Sequence, residues 1–356
     1  MDKTTVSMEQ LSIIANKLFS AMGYSEKDAS YAADVLVETD RRGVDTHGMT
    51  RLGFYHWSVT EGSINRNARL KILRDEPPFL MADADNGLGI IMAPQAVELA
   101  IQRAKEHGIC VMGVSNSNHY GAAGYYAAKC VKEGFITIVS SNSPPTAAPY
   151  GGKEKALGNS PWSMAIPGGN CHPDPVMFDM ACSEVSRGTC ETALREGRSI
   201  PLGWGIDPDG NPSTDPAEVL KGSLLPFGGI KGYCVTVLVE ALSSILTFAT
   251  FGNGTNMTGG SHNTSHFILL LDPVKFGDLD TYKRGIDEYV ENIKRTPLAP
   301  GFEEIIIPGE LETRAIKRRT EHGRELDGAV ADSLAEVALK LGLLAEGQGF
   351  ADMLTW

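Results

Sequence analysis

Two segments, around positions 47 and 119, carry the residue types that proton transfer and carboxylate recognition need. In Asp45-Thr46-His47-Gly48-Met49-Thr50-Arg51-Leu52 an imidazole and a guanidinium stand four residues apart, so a helical conformation would put His47 and Arg51 on one face. A guanidinium offers a two-pronged donor to a carboxylate, and a neighbouring imidazole bonds or protonates the adjacent carbonyl oxygen, a pairing that suits a 2-oxo acid. The same spacing also describes an exposed helix face with an Arg and a capping His. In Ser115-Asn116-Ser117-Asn118-His119-Tyr120-Gly121, His119 follows the apolar run Ile109 to Val114 and precedes a helical pattern. The exit of a strand is exposed yet anchored, and a group titrating near neutrality there could serve as acid and base in a nicotinamide reaction. Asn118 stands beside it as a further candidate substrate contact. The plainer alternative is a loop histidine satisfied by hydroxyls and amides.

A set of Gly-, Pro- and Asn-rich turns could bring backbone N–H groups close to a phosphate or carboxylate. These are Ser141-Asn142-Ser143-Pro144-Pro145 and Leu157-Gly158-Asn159-Ser160-Pro161-Trp162. Sharper are Phe178-Asp179-Met180-Ala181-Cys182-Ser183 and Pro226-Phe227-Gly228-Gly229-Ile230-Lys231-Gly232-Tyr233, where Lys231 could neutralise a pyrophosphate or simply be a solvated surface lysine. Gly87-Leu88-Gly89-Ile90-Ile91-Met92 lacks the last glycine of a dinucleotide fingerprint and a suitable preceding strand, which disfavours a Rossmann domain.

The elements that must hold these groups follow from periodicity. Ser7 with Gln10 predicts a capped helix using Leu11, Ile14 and Leu18, and a second helix follows Ser25 with Ala29, Ala33, Leu36 and Val37 inward. Pro94 suits the first turn of a helix running through Lys105 to Gly108, ahead of the strand Ile109 to Val114. Ala122 to Glu133, stopped by Gly134, and the strand Phe135 to Ser140 repeat that unit in kind. Turn chemistry fills Pro201 to Asp215, Val235 to Phe251 reads as a buried helix, Ile268 to Leu271 as a strand, and Asp332 to Leu344 as an amphipathic helix. The expected division is a helical substrate-side region over 1–70, an α/β cofactor-binding region over 71–250, and a C-terminal region over 251–356 packing back on the first helices.

The balance of 32 Lys and Arg against 44 Asp and Glu, net −12, repels nucleic acid and anionic lipid, so no such partner is expected. Six cysteines without a C-x-x-C pair, and a polar start without a leader-like apolar run, point to reduced thiols and a cytoplasmic chain. No metal site is expected. Two rival readings stay open: His47, His119 and Asp179 as ligands of a divalent metal in a lyase or hydrolase, and a catalytically silent dimeric binding protein.

Taken in order, the chain resembles the malate/L-lactate dehydrogenase family, which includes ureidoglycolate, sulfolactate and diketogulonate oxidoreductases. The resemblance runs through Arg42-Gly43-Val44-Asp45-Thr46-His47-Gly48, Ser117-Asn118-His119-Tyr120-Gly121-Ala122-Ala123-Gly124-Tyr125-Tyr126, Pro201-Leu202-Gly203-Trp204, Thr214-Asp215-Pro216 and Ile307-Pro308-Gly309-Glu310. It implies a non-Rossmann α/β (α+β) fold whose mostly β cofactor domain is flanked by helices from both chain termini, in a homodimer. It further implies NAD or NADP as cofactor, with NAD slightly preferred, and a small anionic 2-hydroxy or 2-oxo acid as substrate, a cyclic imino acid or sugar-derived diketo acid being the alternative. By the same likeness His119 exchanges the proton, and His47 with Arg51 holds the substrate. Ser143, Asp179, Met180, Ala181, Cys182, Ser183, Ile230, Lys231, Gly309 and Glu310 line the dinucleotide. Cys182, Asn159-Ser160 and Cys234 depart from the family pattern at the cofactor loops.

Overall fold

The computed structural model describes residues 3–60, 62–255 and 261–356. The chain opens with β1 (Lys3–Val6) and α1 (Met8–Ala21), whose cap is the Ser7 side chain accepting the N–H of Gln10 at 3.0 Å. Ser25 caps α2 (Glu26–Arg41) in the same way. A turn and a single 3₁₀ turn over Met49–Arg51 then lead into α3 (Leu52–Thr60). His47 and Arg51 therefore do not share one helix, as the spacing suggested: Gly48 interrupts it, with no side chain to clash with the Asp40 carboxylate, which closes on the turn.

After the edge hairpin β2 (Lys71–Glu76) and β3 (Phe79–Asp83), α4 (Gly89–His107) crosses over to β4 (Ile109–Ser117), which runs parallel to β3. The helix starts five residues before Pro94, so the proline lies inside it and not in its first turn. A strand does precede Gly87 and Gly89, contrary to the sequence reading. The glycines serve packing: a Cβ on Gly89 would stand 2.1 Å from the carbonyl oxygen of Asn118. Next come α5 (Ala123–Lys132), β5 (Ile136–Ser141), β6 (Trp162–Ile166) and β7 (Val176–Met180). A small lobe of α6 (Arg187–Arg195), β8 (Gly205–Ile206), α7 (Pro216–Lys221) and β9 (Ser223–Leu224) has its own core around Ala147, Cys190, Val219 and Leu224.

The segment read as a buried helix splits into α8 (Ile230–Glu240) and a wider π turn over Ala241–Ile245. It turns Glu240, Ser243, Ser244 and Thr247 inward, with Ser243 bonded to Ser140 at 2.8 Å, and leaves Leu238, Ile245 and Leu246 more than half exposed. A single chain thus does not bury this helix; its polar stripe wins the inner side because β5 presents hydroxyls there. β10 (Thr264–Leu271) inserts between β4 and β5, completing a seven-stranded sheet of order β2-β3-β4-β10-β5-β6-β7, antiparallel except for β3–β4. α9 (Leu279–Lys294) packs on the far edge. α10 (Glu310–His322), β11 (Arg324–Asp327) and α11 (Gly328–Lys340) bring the C-terminal part back onto the N-terminal helices, β11 pairing with β1. This is a mixed α/β fold around a mostly antiparallel sheet, not a doubly wound one. Among the described residues no helix is long and apolar enough to cross a membrane.

Candidate active site

A cavity of about 210 Å³ opens where the exit of β4, the turn before α3, the loop between β5 and β6, the end of β7 and the entry to β10 meet. His47 and His119, 72 residues apart in the chain, face each other across it with ring centroids 5.7 Å apart and planes 18° from parallel.

His119 follows directly on the last turn of backbone after β4. The Tyr55 hydroxyl lies 2.6 Å from its Nδ1, and the backbone N–H of Gly121 approaches the same nitrogen at 3.4 Å. Burial drives the Tyr55 phenol far above its ordinary value, so it stays protonated and is free to donate. Two donors on Nδ1 assign the proton of the neutral ring to Nε2. Burial, with His47, His262 and Arg51 adding to it, depresses His119 well below 6.5. Burial and Arg51 push His47 and His262 down to about 4. The site thus holds neutral rings at neutral pH.

His47 is positioned from the other end of the chain. Asp40, fully buried in α2, accepts the N–H of Met49 at 3.1 Å and pairs with Arg324, whose side chain is 3 % exposed. Arg324 also donates to Thr50 Oγ1 at 3.2 Å, and Arg319 grips Asp45 through both carboxylate oxygens. Arg51 does not line the cavity; its Nε donates to the Thr46 carbonyl at 2.8 Å, and its charge reaches all three histidines.

The candidate cofactor loops are stitched together beside the histidines. Ser143 Oγ donates to Asn159 Oδ1 at 2.7 Å, and a Cβ on Gly158 would stand 2.4 Å from the Ser143 carbonyl oxygen. Cys182 N–H donates to the Asn159 carbonyl at 2.7 Å, and Phe227 N–H to the Cys182 carbonyl at 3.1 Å, so the 178–183 and 226–233 segments lie side by side. Ser143, Asp179, Met180 and Ala181 line the cavity. The Asp179 carboxyl, pushed up to about 6 by burial against the pull of the Gly124 N–H and Arg42, sits at the N-terminus of α5. Cys182 and Ser183 are buried behind it, while Ile230 and Lys231 stand exposed at the start of α8, outside the cavity. Gly309 and Glu310 are further off: Gly309 begins α10 against Met177, and Glu310 is engaged by Lys294 and Arg314 at 2.7 Å each. Asn118 is buried and does not line the cavity; its amide donates to Asn86 Oδ1 and the Gly87 carbonyl, and its oxygen accepts the N–H of His262. Among the described residues no three His, Cys, Asp or Glu side chains are grouped as a metal shell.

Two residues escaped the sequence reading. Tyr55 is four residues beyond Arg51, the helical spacing already used for His47 and Arg51, which could have found it. His262 lies in Ser261-His262-Asn263, after two glycines, where only the polar, loop-like context hinted at a site. Replacing Tyr55 with phenylalanine removes a donor from a buried nitrogen, a loss of about 1–3 kcal/mol, so turnover should fall about 10- to 100-fold. Steady-state kinetics beside a cofactor fluorescence titration checks this; turnover within threefold of wild type would remove Tyr55 from the site.

Residues 6–335 match the family model described as malate/L-lactate dehydrogenase. The chain is 35% identical over 341 residues to the malate/(S)-sulfolactate dehydrogenase of Methanothermus fervidus, covering 95% of this chain and 98% of that one. It is 30% identical over 340 residues to the NAD(+) ureidoglycolate dehydrogenase of Escherichia coli, covering 94% and 96%. The sulfolactate dehydrogenase structure from Methanocaldococcus jannaschii superposes with a TM-score of 0.88 at 35% identity, covering 98% of this chain and 99% of that one. Relatives' names carry both NAD(+) and NADP(+). The fold, the convergence of the motifs and the near full-length matches agree: this chain belongs to the malate/L-lactate dehydrogenase family of NAD(P)-dependent hydroxy acid dehydrogenases.

Proposed function

We propose that the chain interconverts a small 2-hydroxy acid and its 2-oxo acid, with His119 exchanging the proton and His47 and Arg51 holding the substrate. The observation that carries this is the facing pair of neutral imidazoles at 5.7 Å, flanked by loops rich in backbone donors. The loops fit the reactive end of a nicotinamide cofactor. Among the described residues the Tyr120 hydroxyl lining the cavity is buried without a hydrogen-bond partner, and about 210 Å³ falls below the ~300–1,000 Å³ of sites that enclose drug-sized ligands. Ser143 and Asp179 to Ser183 would hold that end; Ile230-Lys231 and Gly309-Glu310 are the proposed contacts farther out. When bound, the nicotinamide supplies or takes up the hydride at C2.

The protein's own part is proton placement. In reduction, His119 protonated from solvent gives its Nε2 proton to the oxygen formed at C2, and its depressed basicity favours that release. The Tyr55 hydroxyl turns from donor to acceptor when Nδ1 carries a proton, so it supports both forms of the ring. In oxidation the tautomer that carries its proton on Nδ1, donated to the Tyr55 oxygen, leaves Nε2 free to take the alcohol proton. His47 polarises the carbonyl, and Arg51 draws the carboxylate by charge, an attraction that a bidentate grip would strengthen. Arg51→Lys keeps the charge and loses the fork, so KM for the 2-oxo acid should rise about tenfold with a smaller change in kcat; an unchanged KM excludes the clamp. The reading as a whole is tested by screening 2-oxo acids and cyclic imines with NADH and NADPH in parallel at the nicotinamide absorbance band. Turnover of imines alone would transfer the assignment to imine reduction, and turnover of neither class would end it.

A homodimer is supported by the inverted burial of α8. Val237, Leu238, Leu242, Ile245 and Leu246 form an exposed apolar stripe next to Phe248, which is 92% exposed. Stripes of this kind mark association surfaces. Leu238→Glu should convert the dimer to monomer in sedimentation velocity; a wild-type chain that sediments as a monomer defeats the assignment.

A further inference from the structure

We infer that Glu240, at the end of α8, is a positioning residue that holds two loops bordering the nicotinamide end of the cavity in register with each other. This rests on the reading of those loops as the seat of the cofactor.

Glu240 is the one acidic residue in the apolar run from Val235 to Phe251, yet it turns inward and is only 5% exposed. A carboxylate is tolerated in such a place where donors face it. Its Oε1 accepts the N–H of Gly252 at 2.6 Å, and burial pushes the carboxyl up against the pull of the Gly252 and Gly158 N–H groups. Oε2 has no hydrogen-bond partner among the described residues, so the whole hold of this side chain falls on those two backbone donors.

Each donor belongs to a different loop. Gly158 leads into Asn159, whose Oδ1 takes the Ser143 hydroxyl and whose carbonyl takes the Cys182 N–H. Gly252 opens the 3₁₀ turn Gly252–Gly254 at a φ of 51°, a left-handed conformation that suits glycine. Around that turn Asn142 donates to the Thr250 carbonyl at 2.9 Å and to the Thr255 hydroxyl at 3.2 Å, and it accepts the Ser265 N–H at 2.8 Å. The Thr250 hydroxyl donates to the Asn263 carbonyl at 3.1 Å. One carboxylate therefore spans the bank that carries Ser143 and Asn159 and the bank that leads into β10, and both banks line the cavity. Glu240 does not line it and acts through the loops.

The test measures the dissociation constants of NADH and NADPH by nicotinamide fluorescence, and backbone amide exchange in the cofactor-free protein. The chains compared are the wild type, Glu240→Leu, Glu240→Gln, Ser143→Ala and Ser243→Ala. Leucine fills the space and suits the apolar helix but offers no acceptor, whereas glutamine keeps an acceptor oxygen without the charge. Ser243→Ala is the control for packing: it breaks a buried bond to Ser140 and leaves Glu240 in place. Glu240→Leu should weaken binding of the cofactor the wild type prefers by about 10- to 100-fold, the loss of hydrogen bonds to a charged group, with glutamine recovering most of it and Ser243→Ala shifting it less than about threefold. Amide exchange should rise over 157–161 and 249–255 in both Glu240 variants and stay at the wild-type rate across α1 and α2. The glutamine variant carries that readout if the leucine variant does not fold. A Glu240→Leu protein that binds cofactor as the wild type does, or a Glu240→Gln protein whose two loops exchange at the wild-type rate, overturns the positioning role. If Ser143→Ala still weakens binding in that event, the loops remain the seat of the cofactor and the role of Glu240 alone falls. If Ser143→Ala and both Glu240 variants all bind like the wild type, the seat falls and the role falls with it.

Discussion

His119→Ala lowers turnover of the preferred 2-oxo acid by about 10²- to 10⁴-fold, roughly 3–5 kcal/mol of barrier, while the dissociation constant of the reduced cofactor changes far less. The asymmetry follows from where the ring sits. Its Nδ1 is committed to Tyr55, its faces and edges meet His47, Phe54 and His262, and the loops that border the cofactor side depend on Ser143, Asn159 and Cys182 for their shape. Truncation removes the proposed proton donor and opens a gap, so His119→Gln is the needed companion: it fills most of the space and bonds the same neighbours, yet cannot pass a proton at neutral pH. Both variants should be slow. A glutamine variant that recovers most of the turnover would make the role of His119 packing and substrate polarisation, with the proton coming from elsewhere.

The histidine segments were legible because their chemistry is local. His119 needed only a strand exit before it, and the apolar run ending at Val114 announced one. The first helices were equally readable from their serine caps and inward Ala and Leu positions. What failed depended on distant partners. The 45–52 segment looks helical by spacing, but Asp40 takes the Met49 N–H and occupies the space above Gly48, which turns the chain there. Val235 to Phe251 looks buried by composition, but β5 offers Ser140 to its polar side and leaves its leucines outside. Asn118 looked like a substrate contact by adjacency, whereas its three hydrogen-bonding groups are spent on Asn86, Gly87 and the 261–262 backbone and side chain. Tyr55 and His262 join the site through tertiary contacts across 64 and 143 residues, a separation no local pattern encodes; the first shared a helical phase with Arg51, the second had no phase to share.

Arg324→Ala should destabilise the fold by about 3–5 kcal/mol, because it strands the Asp40 carboxylate in the interior. Asp40 is fully buried, and its carboxyl is already pushed up to about 6 by burial, which outweighs the pull of Arg324; Asp45 adds a like charge nearby. Without the guanidinium the carboxyl rises further. A group whose folded value lies above its unfolded value of 3.8 binds protons more readily in the folded state, so folding gains as pH falls through that folded value. The deficit of the variant relative to wild type is therefore largest near pH 8 and shrinks toward pH 5.5, a trend that urea denaturation at the two pH values reads directly. Asp40→Asn in the Arg324→Ala background removes the stranded charge and should recover much of the loss at pH 8. The same lesion frees Thr50 and the 47–51 turn, so KM for the 2-oxo acid should rise in molecules that remain folded, through His47 and Arg51 losing their station. A deficit that is the same at both pH values would mean that Arg324 acts by packing alone, and one below about 1 kcal/mol would mean that the pair holds neither the fold nor the turn.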